Sequence, residues 1–475
     1  MARPSSAWAE GESTLRIAPF GELSIYRPAG SIEGVVLFVS GDGGWHRGVI
    51  DMARELRAMH SLVVGIDIRR YLDSLAAPQA GCRSLAIDFE SLSHRVQREL
   101  GLPEYHVPVL AGYSSGATVV YATLAQAPAG TFAGALSLGF CPDQDFRGAS
   151  LCPGVDLRYS RGKDDSYVLE PATRLQEPWV ALQGDRDAVC NPAATAAFAA
   201  RTSGAALIPL PKVGHGFSVE RNWLPQFQSA YQTLISTSQS VATATGDVAD
   251  LPLTEIVAQP HSERVAILLT GDGGWAGLDR ELAARLAAAG VSVVGFNSLK
   301  YYWTARTPEQ SAADVARVIE HYSTAWQARE VLLIGYSFGA DVLPFIVNRL
   351  SGELQRRIRA VSLLGPSRLA SFEVRVADWL PGRAQGGASI APEIARMPGL
   401  PILCLYGEGE SDALCPELPA DRVKVAIVGK GHHFGGDYDA IADSVLAFSA
   451  GAPTVSSAIH RRQSEMILKA AQPSI

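Results

Sequence analysis

Four landmarks occur in this chain twice, in the same order. An apolar run ends in Gly41-Asp-Gly-Gly-Trp45, and a second ends in Gly271-Asp-Gly-Gly-Trp275. A Gly-x-Ser-x-Gly follows around Ser114 and again around Ser337. An acidic loop, Gly184 to Cys190, has an ungapped match in Gly409 to Cys415, which pairs Asp187 with Asp412. Gly214-His215-Gly-Phe217 then pairs with Gly431-His432-His-Phe434. The four offsets are 230, 223, 225 and 217 residues, so the copies drift only through loop lengths. A chain of 475 residues is too long for one ordinary core, and two copies of one domain account for both facts. The boundaries read as a first domain over 14–236, a linker over 237–252, a second domain over 253–451 and a tail over 452–475. The linker begins with small, polar, aperiodic residues, Thr237 to Asp250.

Within each copy, short apolar strands alternate with helical patterns. Residues 83–100 place Leu85, Phe89, Leu92, Val96 and Leu100 on one face. Thr307-Pro308-Glu309-Gln310 has a capping threonine, Pro at the first helical position and Gln three after the cap. The helix it opens carries Val315, Val318, Ile319, Tyr322 and Trp326 on one face. This alternation predicts α/β architecture, each copy a mostly parallel, doubly wound sheet of α/β-hydrolase type.

The chemistry is centred on residues 329–341. Val331 to Ile334 drives into Gly335-Tyr-Ser337-Phe-Gly339 and a helical pattern follows. A strand, a sharp turn and a helix with serine at the tip form the context in which Gly-x-Ser-x-Gly presents a nucleophile. Serine is a poor nucleophile near neutral pH and needs a base within hydrogen-bond reach. The order Ser, Asp, His supplies one: His432 as base, Asp412 to orient it. Glu410 is the alternative acid, and the match to Asp187 selects Asp412. His433 is the alternative base, and alignment with the single His215 selects His432. The oxyanion needs backbone donors: Phe338, just after the nucleophile, and the turn containing Gly273 and Gly274. The same roles in the first copy fall to Ser114, Asp187, His215, Ser115 and the Gly41–Trp45 turn. Asp42 and Asp272 read as turn residues, and Trp45 and Trp275 as packing residues.

A net charge of -7 argues against nucleic acid as a partner, and no apolar run is long enough to span a bilayer. The six cysteines include no Cys-x-x-Cys and no His/Cys spacing suited to zinc, so neither metal nor cofactor is expected. Cys141 with Cys152, and Cys404 with Cys415, bracket short loops that disulfides would close in an oxidising compartment; the other reading is unpaired buried thiols. Ala7-Trp8-Ala9 has the form of a signal-peptidase site without the charged and apolar parts of a leader, which fits either a trimmed leader or an ordinary polar start. Residues 366–399 exceed what joining two core strands requires and include Phe372, Val374, Val376, Trp379 and Leu380. They read either as an apolar-lined cap over an acyl substrate or as a surface excursion. The tail, with His460-Arg-Arg462 and Met466-Ile-Leu468, reads as a terminal helix or unstructured chain.

Longer stretches carry a resemblance. Thr270-Gly-Asp-Gly-Gly-Trp275, Leu299-Lys-Tyr-Tyr-Trp303, Arg306-Thr-Pro-Glu309 and Leu333-Ile-Gly-Tyr-Ser-Phe-Gly-Ala-Asp-Val-Leu-Pro-Phe345 resemble the bacterial virulence protein family of AcvB and VirJ. VirJ-like members resemble the C-terminal half alone, and AcvB-like members the whole two-copy chain. The resemblance implies a periplasmic serine hydrolase that cleaves the lysyl ester of lysyl-phosphatidylglycerol, giving phosphatidylglycerol and lysine, with Ser337, Asp412 and His432 as the catalytic set. It implies an aminoacylated phospholipid at the membrane surface as substrate, and secretion-system proteins as partners of some members. A cationic lysyl group would call for carboxylates, and Glu408, Asp437 and Asp439 lie on loops beside the triad residues. The rival expectations are an esterase or thioesterase on another acyl group, and a non-catalytic secretion accessory using the fold as scaffold.

Overall fold

The computed structural model describes residues 11–77, 82–162, 166–239, 246–260, 262–374, 387–397 and 399–451. The chain divides into two compact units, Met1–Val241 and Ala242–Ile475, and the division falls inside the expected linker. Much of that linker is structured at its ends. The last helix of the first unit, Leu224–Gln239, runs into it. On the other side Asp247 accepts from His321 and Asp250 from Arg317, which ties 246–250 to the second unit.

The first unit's strands are β1 (Glu12–Ile17), β2 (Gly21–Tyr26), β3 (Gly34–Val39), β4 (Ser61–Ile66), β5 (Val109–Tyr113), β6 (Gly134–Leu138), β7 (Asp143–Gln144), β8 (Arg158–Arg161), β9 (Tyr167–Glu170), β10 (Trp179–Gly184) and β11 (Ala205–Leu210). Eight of them form one sheet in the order β1-β2-β4-β3-β5-β6-β10-β11. It is parallel from β4 to β11, with β1 and β2 antiparallel at one edge. The remaining three, β7-β9-β8, make a small separate sheet.

Both faces of the main sheet are buried, and alternate residues show it. Val35, Leu37 and Val39 pack on one side with Leu85, Phe89, Leu92 and Val96 of the helix Leu85–Glu99. Val36 and Phe38 pack on the other with Val49, Met52 and Leu56 of Gly48–Ala58 and with Phe227 and Leu234 of Leu224–Gln239. Successive side chains of a strand point to opposite faces, so a strand covered on both reads as a continuous apolar run.

The second unit repeats this with β12 (Leu253–Ile256), β13 (Arg264–Leu269), β14 (Ser292–Phe296), β15 (Glu330–Tyr336), β16 (Ile358–Leu364), β17 (Leu369–Ala370), β18 (Ala388–Ser389), β19 (Ile402–Glu408) and β20 (Val423–Lys430). The main sheet runs β12-β14-β13-β15-β16-β19-β20, parallel except for β12. Thr307 and Gln310 form the reciprocal capping box expected at the start of Pro308–Ala325.

Within the excursion over 366–399, β17 and β18 pair antiparallel, and Val374 donates its N–H to Tyr302 O at 2.9 Å. Val376, Trp379 and Leu380 lie outside the described residues, as do Ala7-Trp8-Ala9 and the tail at 452–475.

All six cysteines are paired, as Cys82–Cys152, Cys141–Cys190 and Cys404–Cys415. The last is the expected local closure. Cys141 and Cys152 are not partners. Each instead reaches a distant segment, because Cys141 follows β6 while Cys190 ends the acidic loop after β10, the strand beside it. Among the described residues no helix is long and apolar enough to cross a membrane.

Candidate active site

In the second unit β15 ends at Tyr336, and the helix Phe338–Val347 begins two residues later. Ser337 between them sits at φ 50°, a strained region for a residue with a side chain. The flanking glycines are a steric requirement. A Cβ on Gly335 would lie 2.5 Å from Gly339 O, and one on Gly339 would lie 2.2 Å from Leu269 O. The elbow of the first unit is the same. Ser114 has φ 55°, and a Cβ on Gly112 or Gly116 would come within 2.2 or 2.3 Å of backbone carbonyl oxygens.

His432 reaches the nucleophile, its Nε2 lying 2.8 Å from Ser337 Oγ. Its Nδ1 lies 2.5 Å from Glu410 Oε1. The carboxylate on the imidazole is thus Glu410, and the choice of Asp412 is corrected. Asp412 is exposed, and its backbone oxygen accepts from Arg368. The shared Gly and Cys at the ends of the acidic loops drew the alignment two residues out of frame. In structural frame Gly184, the last residue of β10, corresponds to Gly407, the last but one of β19, for both are pressed against the backbone just before the histidine. Asp187 N donates to Gly184 O at 3.3 Å, and Glu410 N to Gly407 O at 3.2 Å. Counted from that glycine, each copy has its acid at the third position, and the Asp187-to-Glu410 offset equals the Ser114-to-Ser337 offset.

Burial opposes ionisation of Glu410, but its bonds from His432 and the Gly407 N–H outweigh this and hold it below the usual carboxylate range. Burial likewise opposes charging of His432. The Glu410 bond, with Asp272 and Asp341 nearby, overcomes it and raises the imidazole above its ordinary value. His433 moves the other way, lowered by burial and by its neighbour His432, and its Nδ1 shares a 2.8 Å hydrogen bond with Tyr336 OH. Asp341 accepts from Ser367 N at 2.7 Å and Ser367 Oγ at 2.9 Å, and burial pushes it up to about 8.

The first unit assembles Ser114, Asp187 and His215 as expected. His215 Nε2 lies 2.9 Å from Ser114 Oγ and Nδ1 2.9 Å from Asp187 Oδ2. Asp187, Cys190 and His215 also bring ligand-type atoms within 4.8 Å of one another. The Cys190 sulfur is bonded to Cys141 and the other two residues to each other, so the donors fit a relay and not a metal.

Several positioning residues carry no signal in a motif search. Tyr113 OH donates to His215 O at 2.9 Å, and the matching Tyr336 stacks on the His432 ring. Gly139 and Gly365, at φ 63° and 60°, each face the histidine at 3.3 and 3.2 Å from a would-be Cβ. Thr270 Oγ1 donates to Gly271 O and accepts from Ser298 N, both at 2.9 Å, and fixes the glycine turn.

That turn abuts the nucleophile: a Cβ on Gly271 would lie 3.5 Å from Ser337 Cβ. Phe338 is the first residue of its helix, where an N–H has no intrahelical acceptor. Gly274 is corrected as a donor, because its N–H is spent on Gly271 O at 3.1 Å within the turn; Gly273 remains. Of the three loop carboxylates, Asp437 caps the helix Tyr438–Ser449 by accepting from Ala440 N, and Asp439 pairs with Arg285 at 2.6 Å. Glu408 is exposed at the end of β19, two residues before the acid.

A profile of the family described as bacterial virulence protein (VirJ) matches residues 33–136 and 263–450, more than half of the chain. A search of curated proteins finds no match. Solved structures similar to one half of the chain include an α/β serine hydrolase homologue from Coxiella burnetii (15% identity, 49% of this chain, 99% of that one, TM-score 0.32). Others are Est1E from Butyrivibrio proteoclasticus (12% identity, 48% and 99%, TM-score 0.32) and a lidless α/β serine hydrolase from Xanthomonas campestris (18% identity, 50% and 99%, TM-score 0.31).

Proposed function

From the premise that this chain belongs to the bacterial virulence protein (VirJ) family, we propose that its second unit is a periplasmic serine hydrolase that releases lysine from lysyl-phosphatidylglycerol. The observation that carries the reading is the relay from Ser337 through His432 to Glu410, with a further acidic side chain, Asp272, acting on the same imidazole. Acid groups clustered at a nucleophile suit a substrate whose acyl part is a cation. Three disulfides suit an oxidising compartment such as the periplasm.

Ser337 Oγ attacks the lysyl carbonyl as its proton passes to His432 Nε2. Glu410 holds the ring and stabilises the imidazolium. The oxyanion is met by the Phe338 N–H and a donor of the Gly271–Trp275 turn, Gly273 in our assignment. The ester C–O bond breaks, and phosphatidylglycerol leaves as the alcohol with the proton from His432. Water, deprotonated by the same ring, then cleaves the lysyl-enzyme. Lysine departs and Ser337 regains its proton.

Vesicles containing lysyl-phosphatidylglycerol test this. Wild type should release free lysine and Ser337→Ala should not. Failure of both wild type and Ser114→Ala to release lysine, with p-nitrophenyl ester hydrolysis by Ser114→Ala intact, would move the centre to another acyl substrate.

A further inference from the structure

The first unit carries a full set of catalytic parts that the proposed lysyl-ester reaction does not use. Residues held at strained dihedrals persist where the surroundings over-determine them. Ser114 is such a residue, with the fourth side chain after it, Thr118, bonded to Cys141 O at 2.6 Å. The Asp187 side chain is fully buried and accepts from Gln183 Nε2, Val189 N and Cys190 N at 3.0, 2.9 and 2.8 Å, besides His215. Together those donors fix the carboxyl in place against the His215 ring. The Cys141–Cys190 disulfide fastens this acid loop to the segment after β6, where Gly139 gives His215 its room. Ser115 opens its helix as Phe338 does, and Gly41 stands against Ser114 as Gly271 does against Ser337. The family match in this unit ends at residue 136, before Asp187 and His215, so their convergence on Ser114 rests on the geometry alone.

The surroundings differ from those of Ser337 in charge. Four residues beyond the nucleophile, the first unit has Thr118 where the second has Asp341. Two residues beyond the acid it has Val189, 68% exposed, where the second has the exposed Asp412. Four residues beyond His215, Val219 is also an exposed apolar side chain. The exposed Asp412 has given way to an apolar side chain and Val219 adds another, so the first centre offers less to a cation and more to an apolar acyl group.

We propose that Ser114, His215 and Asp187 form a second, separate hydrolase centre that cleaves carboxylic esters with uncharged acyl groups. Ser114 Oγ bonds to the acyl carbon while its proton moves to His215 Nε2. The alkoxy bond breaks, and the alcohol leaves with that proton. Water then restores the serine and frees the carboxylic acid.

The test uses the full chain and does not depend on the lysyl substrate. Wild type is treated with a fluorophosphonate probe and the modified peptides are mapped; both Ser114 and Ser337 should carry the adduct. Ser337→Ala should keep the Ser114 adduct and still hydrolyse p-nitrophenyl butyrate. It should favour this over lysine p-nitrophenyl ester by about tenfold or more in kcat/KM. Adding Ser114→Ala should abolish both adduct and turnover. His432→Ala provides a second silenced background should Ser337→Ala fold poorly. An unmodified Ser114 in wild type whose Ser337 is modified would overturn the proposal. So would butyrate turnover that survives the double variant, and equal use of the two esters would overturn the substrate class.

Discussion

At the scale of single residues, Glu410 and Asp412 separate two accounts of the relay. Glu410 bonds the imidazole and is almost wholly buried, whereas Asp412 is exposed. Removing the charge that orients a catalytic histidine costs about 10³- to 10⁴-fold in kcat. Glu410→Gln should therefore lose lysine release, or the rate of Ser337 modification by fluorophosphonate, on that scale. Asp412→Asn should leave the rate of Ser337 modification by the uncharged fluorophosphonate within about twofold, as surface substitutions do. The same pair predicts a pH effect with a definite sign. His432 must be neutral to accept the serine proton, and its pKa is raised, chiefly by the Glu410 bond against the opposing pull of burial. The acidic limb of the rate profile should then lie above the ordinary imidazole range. In Glu410→Gln the residual activity should show that limb moved to lower pH. An unmoved limb would mean that another group sets it.

At the scale of elements, the glycine turn after β13 is set by a contact between strands. A Cβ on Gly295 of β14 would stand 2.1 Å from the Trp275 ring, and one on Gly65 of β4 would stand 2.1 Å from Trp45. Trp275 ends the turn that holds Gly273, so a methyl group at 295 must push the turn off Ser337. Overpacking of this kind costs about 1–3 kcal/mol. Gly295→Ala should lose stability on that scale in urea unfolding and slow the modification of Ser337. Gly65→Ala should slow only Ser114. Equal slowing of both serines by either variant would show that the turns do not act locally. These contacts also show where the sequence was and was not legible. Ser337 and His432 were readable because an elbow imposes glycines at fixed offsets and a strand and helix on either side. The acid was misread because a loop keeps its end points more faithfully than its interior. Gly409 and Cys415 matched Gly184 and Cys190 while the bonded carboxyl moved to the position counted from Gly407. Gly139, Gly365, Tyr113 and Tyr336 stayed silent, since their role is to fill or vacate space beside a histidine about a hundred residues or less away in sequence.

At the scale of the whole molecule, charge bears on how such a protein would meet the proposed lipid substrate. The net charge is -7, which opposes approach to a surface rich in anionic phosphatidylglycerol. Lysyl-phosphatidylglycerol is different, because two ammonium groups exceed its single phosphate charge and leave a cationic headgroup. An acidic hydrolase acting on it would be drawn to substrate-rich patches and released as hydrolysis turns the headgroup anionic. The attraction would be long-range and screened over about 10 Å at 0.1 M salt. Co-sedimentation with Ser337→Ala, which leaves the lipid intact, measures this. Binding to phosphatidylglycerol vesicles should rise with the fraction of lysyl lipid and fall as salt is increased. Tighter binding to vesicles of phosphatidylglycerol alone would reverse the sign of the argument. It would place the membrane contact on a local basic or apolar surface in spite of the acidic whole.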